Sequence, residues 1–224
     1  PETHLGGLSS SGLGYTDTGD KSVIGGLARD FYHRIYLHYQ KDGSWKWLSR
    51  DSFGNKGQGI PAVDGENRTM WVFEPHVAEE VFEAYVSEAK VPVFRGRYLD
   101  RRSGVRRQGS RITEIRTMAG ESFRAKVFID ATYEGDLMAA AKVKYTIGRE
   151  GQEKYGEAWA GVQPTARHHR HGFFVLKQPI SPYRVEGEPQ SGLLPRISPK
   201  AIGKTGSGDR KIQAYCYRLC LTNI

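Results

Sequence analysis

Cysteine is scarce: the 224-residue chain has two, Cys216 and Cys220. They are too few for a disulfide scaffold and too close together to staple distant segments. A four-thiolate iron–sulfur cluster needs two ligands more than they supply. Long apolar runs are missing, and none approaches the ~18 residues of a membrane span. No Gly-x-Gly-x-x-Gly occurs: Gly12-Leu13-Gly14-Tyr15-Thr16-Asp17 ends on Asp and follows no strand. Gly203-Lys204-Thr205 ends like a phosphate loop, yet Ser198 stands where the first glycine belongs. Ser9, Ser10 and Ser11 have no nucleophile-elbow pattern around them, which disfavours a hydrolase. His168, His169 and His171 have neither carboxylate nor thiol near them in sequence, so no metal site is expected.

What is present is an ordinary globular balance, 38% hydrophobic and 26% charged, which excludes a disordered or fibrous chain. Glycine stands out at 27 residues, about 12% against a usual ~7%. Many backbone positions therefore need positive φ or a close approach by another group. The net charge of +8 invites a nucleic-acid reading, but its location argues otherwise. Between Phe94 and Lys126 stand ten basic residues and three acidic ones, so that segment alone supplies +7. Its arginines alternate with apolar residues at strand spacing and no nucleic-acid motif accompanies them, so they read as the solvated face of a small sheet.

Residues 5–14 (LGGLSSSGLG) form a loop of small residues whose four glycines suit a flat or anionic ligand. Ile24, Leu27, Ala28, Phe31 and Ile35 recur at three- and four-residue steps and predict a helix over 21–39, with Asp20 as N-cap. Residues 40–69 read as an excursion, a hairpin and loop with Trp45, Trp47 and Phe53. Pro75 opens a second helix to about residue 89. Extended pieces follow at 91–96, 112–117 and 122–132, with a turn at Ala119-Gly120. Residues 125–132 (AKVFIDAT) are the most apolar strand, and a Gly-containing turn leads from them into a short helix at 137–141. Strand, tight turn and helix make an α/β ligand-binding edge. Beyond Val143 no clear periodicity remains.

Four blocks together resemble one family: Glu2-Thr3-His4-Leu5-Gly6-Gly7, Ser11-Gly12-Leu13-Gly14-Tyr15-Thr16-Asp17, Val127-Phe128-Ile129-Asp130-Ala131-Thr132 with Glu134-Gly135-Asp136-Leu137, and residues 213–222 (QAYCYRLCLT). The chain resembles FAD-dependent oxidoreductases of the glutathione-reductase-like superfamily, in the branch that includes heterodisulfide reductase A-like proteins. The resemblance implies an α/β fold: a partial FAD/NAD(P)-binding, Rossmann-like domain with a three-stranded β meander over 1–142, interrupted by the excursion at about 40–72. The start of a second, irregular α+β substrate domain is expected over 143–224. It also implies that the chain begins just after the Gly-x-Gly-x-x-Gly turn and ribose-binding acid of an intact protein, so that this fragment alone is inactive.

Carried onto this sequence, the resemblance makes Gly6, Gly7, Ser10, Ser11 and Gly12 the segment passing the FAD pyrophosphate towards the isoalloxazine ring. Leu99 takes the place whose main chain meets the adenine. Ala131, Thr132, Gly135 and Asp136 flank the adenosine half, Asp136 also serving as N-cap of the helix at 137. The implied chemistry is hydride transfer between a small organic substrate and flavin, with an electron acceptor as second partner. Tyr15, Asp17 and Arg149 are the catalytic candidates, and Tyr215 and Arg218 the substrate contacts. No nucleic acid and no membrane span are expected, and the cytoplasm is the default compartment. The alternative is a non-catalytic, carbohydrate-binding module using Trp45, Trp47, Trp71 and Trp159 as stacking platforms, with a degenerate cofactor site.

Overall fold

The computed structural model describes residues 3–14, 19–55, 57, 61–164 and 180–212. The described residues up to Val143 form one compact unit and those from Lys144 onward a second. In the first, α1 (Gly26–Tyr39) is followed by a one-turn α2 (Arg50–Phe53), a hairpin of β1 (Val63–Asp64) and β2 (Thr69–Met70), and α3 (Pro75–Glu88). A meander of β3 (Val105–Gln108), β4 (Arg111–Arg116) and β5 (Ser122–Arg124) comes next, then the short α4 (Asp136–Ala140). The fold is thus mixed α/β, with its three-stranded sheet antiparallel throughout.

The helix expected from residue 21 starts later. Asp20 caps only a single 3₁₀ turn, Lys21–Val23, by accepting from Ser22 N–H, and the Gly25-Gly26 pair then interrupts the chain, Gly26 sitting at φ +56°. Two adjacent glycines lose the most backbone freedom in a helix, so the break falls there. α1 buries Phe31, Tyr32, Ile35 and Tyr39, while Leu27, expected on that face, is 76% exposed. α3 begins with Pro75 at its first turn and turns Val77, Ala78 and Val81 inward. Between the helices Tyr32 stacks on Trp71 at 4.0 Å, and Phe31 packs edge-on to Phe73 at 5.6 Å. At the other end Arg34 grips Glu88 through both nitrogens at 2.6 and 2.8 Å and Asp30 at 2.7 Å. Burial and the Asp30 carboxylate push the Tyr85 hydroxyl up to about 12.

The meander sorts its residues by the two-residue period of a strand. Val105, Ile115 and Phe123 align across the three strands, and Arg106, Glu114 and Arg124 align on the opposite face. Glu114 lies beneath the two guanidinium groups, and the Arg124 hydrogen bond holds its carboxyl below the usual range. The arginines expected on a solvated sheet face stand there, with one buried carboxylate between them.

Two expected strands are not strands. Residues 125–132 run without ladder partners, with Val127 73% and Ile129 84% exposed, and residues 91–96 are irregular. An apolar parallel strand needs neighbours on its edges, and none of the described strands lies beside 125–132. The second unit contains a one-turn α5 (Gln152–Tyr155) and is held by backbone cross-links: Arg149 with Asp209, Val162 with Gly206 and Ser207, and Tyr183 with Leu193.

Ile35 has no exposed surface, so Ile35→Ala is expected to lower unfolding free energy by about 2–4 kcal/mol. Leu27→Ala, on the same helix, is expected to stay within about 0.5 kcal/mol. Urea denaturation of the two variants checks the assignment, and a larger loss at Leu27 than at Ile35 would contradict it.

Candidate functional site

Residues 5–14 fold as a half-buried glycine loop around a single 3₁₀ turn, Gly7–Ser10. Gly6, Gly7, Gly12 and Gly14 have φ of +105°, +53°, +120° and +72°, values that a side chain rarely tolerates, so the loop needs glycine at each place. Two of its three serine hydroxyls are turned onto its own backbone: Ser10 donates to Leu5 O and Gly7 O, and Ser11 to Gly7 O at 2.8 Å. Helix α3 carries the loop on one stripe. Glu79 meets His4 Nδ1 at 2.6 Å, the Phe82 ring packs on Gly6, and Glu83 pairs with Arg95, which donates to Thr3 O. Positions 79, 82 and 83 share a face because they stand three and four residues apart.

The second segment, Ala131 to Asp136, is shaped by Asp130. Its Oδ1 accepts from Thr132 N–H at 3.1 Å and the Thr132 hydroxyl at 2.7 Å, and its Oδ2 accepts from Met138 N–H at 3.0 Å. Thr132 Oγ1 in turn accepts from Gly135 N–H at 3.0 Å. The cap expected at Asp136 belongs elsewhere: Gly135, left-handed at φ +66°, is the N-cap, Asp136 is the first helical residue, and Asp130 takes the free amide. Only a residue tolerant of positive φ can make that corner. Burial opposes the charge on Asp130, but these hydrogen bonds outweigh it and hold the carboxyl below the usual carboxylate range.

Tyr133, which the sequence pattern did not single out, joins the two segments. Its hydroxyl oxygen accepts from Leu8 N–H at 3.0 Å, and a Cβ built on Gly7 would lie 2.5 Å from it. Arg101 approaches Asp136 at 3.6 Å, which brings the stretch after Leu99 to the same turn. Leu99 itself bridges to Thr117 and lines a small cavity with Phe94, Ile115 and Phe123. The structure thus links the loop of Gly6, Gly7, Ser10, Ser11 and Gly12 to the turn of Thr132, Gly135 and Asp136 through the Tyr133 side chain. Arg149, in the second unit, is engaged by Asp209 through two side-chain contacts, which raise the arginine pKa and lower that of the aspartate. Tyr15, Asp17, Tyr215, Arg218 and the histidines at 168–171 lie outside the described residues. Among the described residues no three His, Cys, Asp or Glu side chains gather as a metal site.

An aromatic cavity of about 930 Å³ is the feature that sequence periodicity could not show. Tyr39, Trp45, Trp47, Phe53 and Phe73 line it, with Glu74 as its one carboxylate. Its Phe73 wall is tied to the glycine loop, Phe73 N–H donating to Gly14 O at 2.7 Å. Trp71 is 4% exposed and stacked on Tyr32, and Trp159 belongs to the second unit, so of the four indoles only Trp45 and Trp47 line this cavity.

Because the folded-state pKa of Asp130 lies below its unfolded value, its stabilisation is complete above the unfolded pKa and is lost as pH falls through the folded one. Asp130→Asn is expected to cost about 1 kcal/mol at neutral pH, as loss of a cap does. The variant should then lose less stability than the wild type on going to about pH 3. Urea midpoints at the two pH values check this; equal acid losses would remove Asp130 from the role.

No curated protein and no solved structure is detectably similar to the chain. A family model described as FAD dependent oxidoreductase matches residues 1–223, nearly the whole sequence, and covers the glycine loop and the Thr132–Asp136 turn alike. By that match the chain belongs to the FAD dependent oxidoreductase family, whose cofactor is FAD.

Proposed function

We propose that the first unit is a partial Rossmann-like FAD-binding domain and the second the start of a substrate domain, in an enzyme that moves a hydride between a small organic substrate and flavin. The observation that carries this reading is the meeting of the glycine loop and the Asp130-shaped turn at the Tyr133–Leu8 hydrogen bond. Two segments far apart in sequence, each matched to a cofactor position by the resemblance, lie against each other.

The donor set fits a phosphate-bearing cofactor. Residues 5–14 hold no carboxylate, and the amide N–H groups of such a glycine-rich loop suit an anion. The room left by Gly7 is filled by Tyr133, a side chain 70% exposed. Moving it aside costs about one ordinary hydrogen bond, ~0.5–1.5 kcal/mol. Gly6, Gly7, Ser10, Ser11 and Gly12 would then line the cofactor's phosphates, with Leu99, Ala131, Thr132, Gly135 and Asp136 towards its adenosine half. When bound, FAD supplies the two-electron acceptor that no side chain can provide. The residues around it position the substrate and hold the proton: Asp17 and Tyr15 are proposed as the base, and Tyr215 and Arg218 as substrate contacts. Arg149 is proposed as a catalytic residue, its charge steadied by Asp209 within the second unit.

Purified without added cofactor and then titrated with FAD, the intact protein is expected to show flavin absorption bands that are lost on denaturation. Gly12→Ala forces a side chain onto φ +120° and should weaken FAD binding at least about tenfold with an unchanged circular dichroism spectrum. A protein that takes up no flavin at excess FAD would overturn the reading. Once a turnover assay exists, Asp17→Asn is expected to lower kcat about 10²–10⁴-fold with flavin content unchanged. Unaltered turnover would strike Asp17 from the mechanism.

A further inference from the structure

We propose that the aromatic cavity beside the glycine loop binds a small organic ammonium ion through the Glu74 carboxylate and the Trp45 and Trp47 rings. At about 930 Å³ it falls within the ~300–1,000 Å³ of small-molecule sites. Its walls are chiefly ring faces and aliphatic side chains, with Glu74 the one acid and Lys46 and His76 the basic groups in the lining. That carboxylate is held in place: the Tyr39 hydroxyl donates to Oε2 at 2.9 Å and accepts from Glu74 N–H at 3.0 Å, which fixes the side chain at the start of α3. Oε1 accepts no hydrogen bond, and no lysine or arginine nitrogen lies within 4.0 Å of the carboxylate, among the described residues. Lys46, the one lysine or arginine in the lining, is exposed and makes no ion pair with it.

Aromatic faces around an unneutralised carboxylate favour a weakly hydrated cation over an anion or a neutral polar molecule. The Arg50 guanidinium already stands 5.7 Å from the centre of the Trp45 ring, so this cluster takes a cation on one indole. Trp47, 56% exposed, has no such cation over it among the described residues. The Phe73–Gly14 hydrogen bond ties the cavity wall to the end of the loop proposed to run towards the flavin ring. The ligand's role as substrate rests on the oxidoreductase reading; its binding does not, and is measured without FAD.

The experiment is a titration of the full chain with choline, followed by tryptophan fluorescence at constant ionic strength, beside 3,3-dimethyl-1-butanol, its uncharged carbon isostere. Choline is expected to give a saturable change, with the isostere at least about fivefold weaker. Glu74→Gln, which keeps an acceptor for Tyr39, should weaken choline at least about fivefold, and so should Trp47→Ala, whose exposed position spares the core. Equal affinities for choline and the isostere, an unsaturable response, or wild-type affinity in both variants would overturn the proposal. Choline binding in a protein that takes up no FAD would sustain the site and remove its role as a substrate pocket. FAD uptake without choline binding would overturn the site and leave the flavoenzyme reading standing.

Discussion

The packing of α1 against α3, centred on Ile35, Val77 and the Tyr32–Trp71 stack, is the constraint on which the first unit depends. One face of α3 completes that core while the stripe of Glu79, Phe82 and Glu83 holds residues 3–6 from outside. A 14-residue helix is marginal alone in water, so α3 exists because its apolar stripe is buried. The glycine loop therefore inherits its position from the core. Damage at Ile35 or Val77 would reach the loop through the helix that carries it.

The same pair of helices builds the aromatic cavity. Tyr39 ends α1 and Glu74 precedes α3, and their two hydrogen bonds join the elements at one corner. The hairpin after α2 delivers Met70 and Trp71 to the core, and Phe73 follows with its amide bonded to Gly14. Cavity and glycine loop thus meet at Phe73, three residues beyond a hairpin strand.

Charge follows a different logic. The arginine-rich segment accounts for nearly all the net positive charge, yet in the meander it is spent locally, Arg106 and Arg124 on Glu114. Arg107 donates to the Ala141 carbonyl at the end of α4, and Arg101 approaches Asp136 at its start. These contacts tie the sheet to the turn that carries Thr132 and Gly135, so the basic run helps to set the geometry of the proposed cofactor edge.

Much of this was legible in sequence. The periodicity of 75–89 and the Pro75 start define α3, the expected pieces at 112–117 and 122–132 overlap β4 and β5 but not β3, and the glycine spacing marks the loop. Those signals are local, a matter of backbone freedom and of which face a residue's period assigns it to. The strand expected at 125–132 did not form, because a ladder depends on neighbours that apolar residues alone do not specify. Asp130 as the organiser of the turn, Tyr133 as the link to Leu8, and the grouping of Trp45, Trp47 and Glu74 around one cavity were decided only by tertiary structure. Each joins groups brought together by helix packing and chain reversal, and no spacing along the sequence encodes such a meeting.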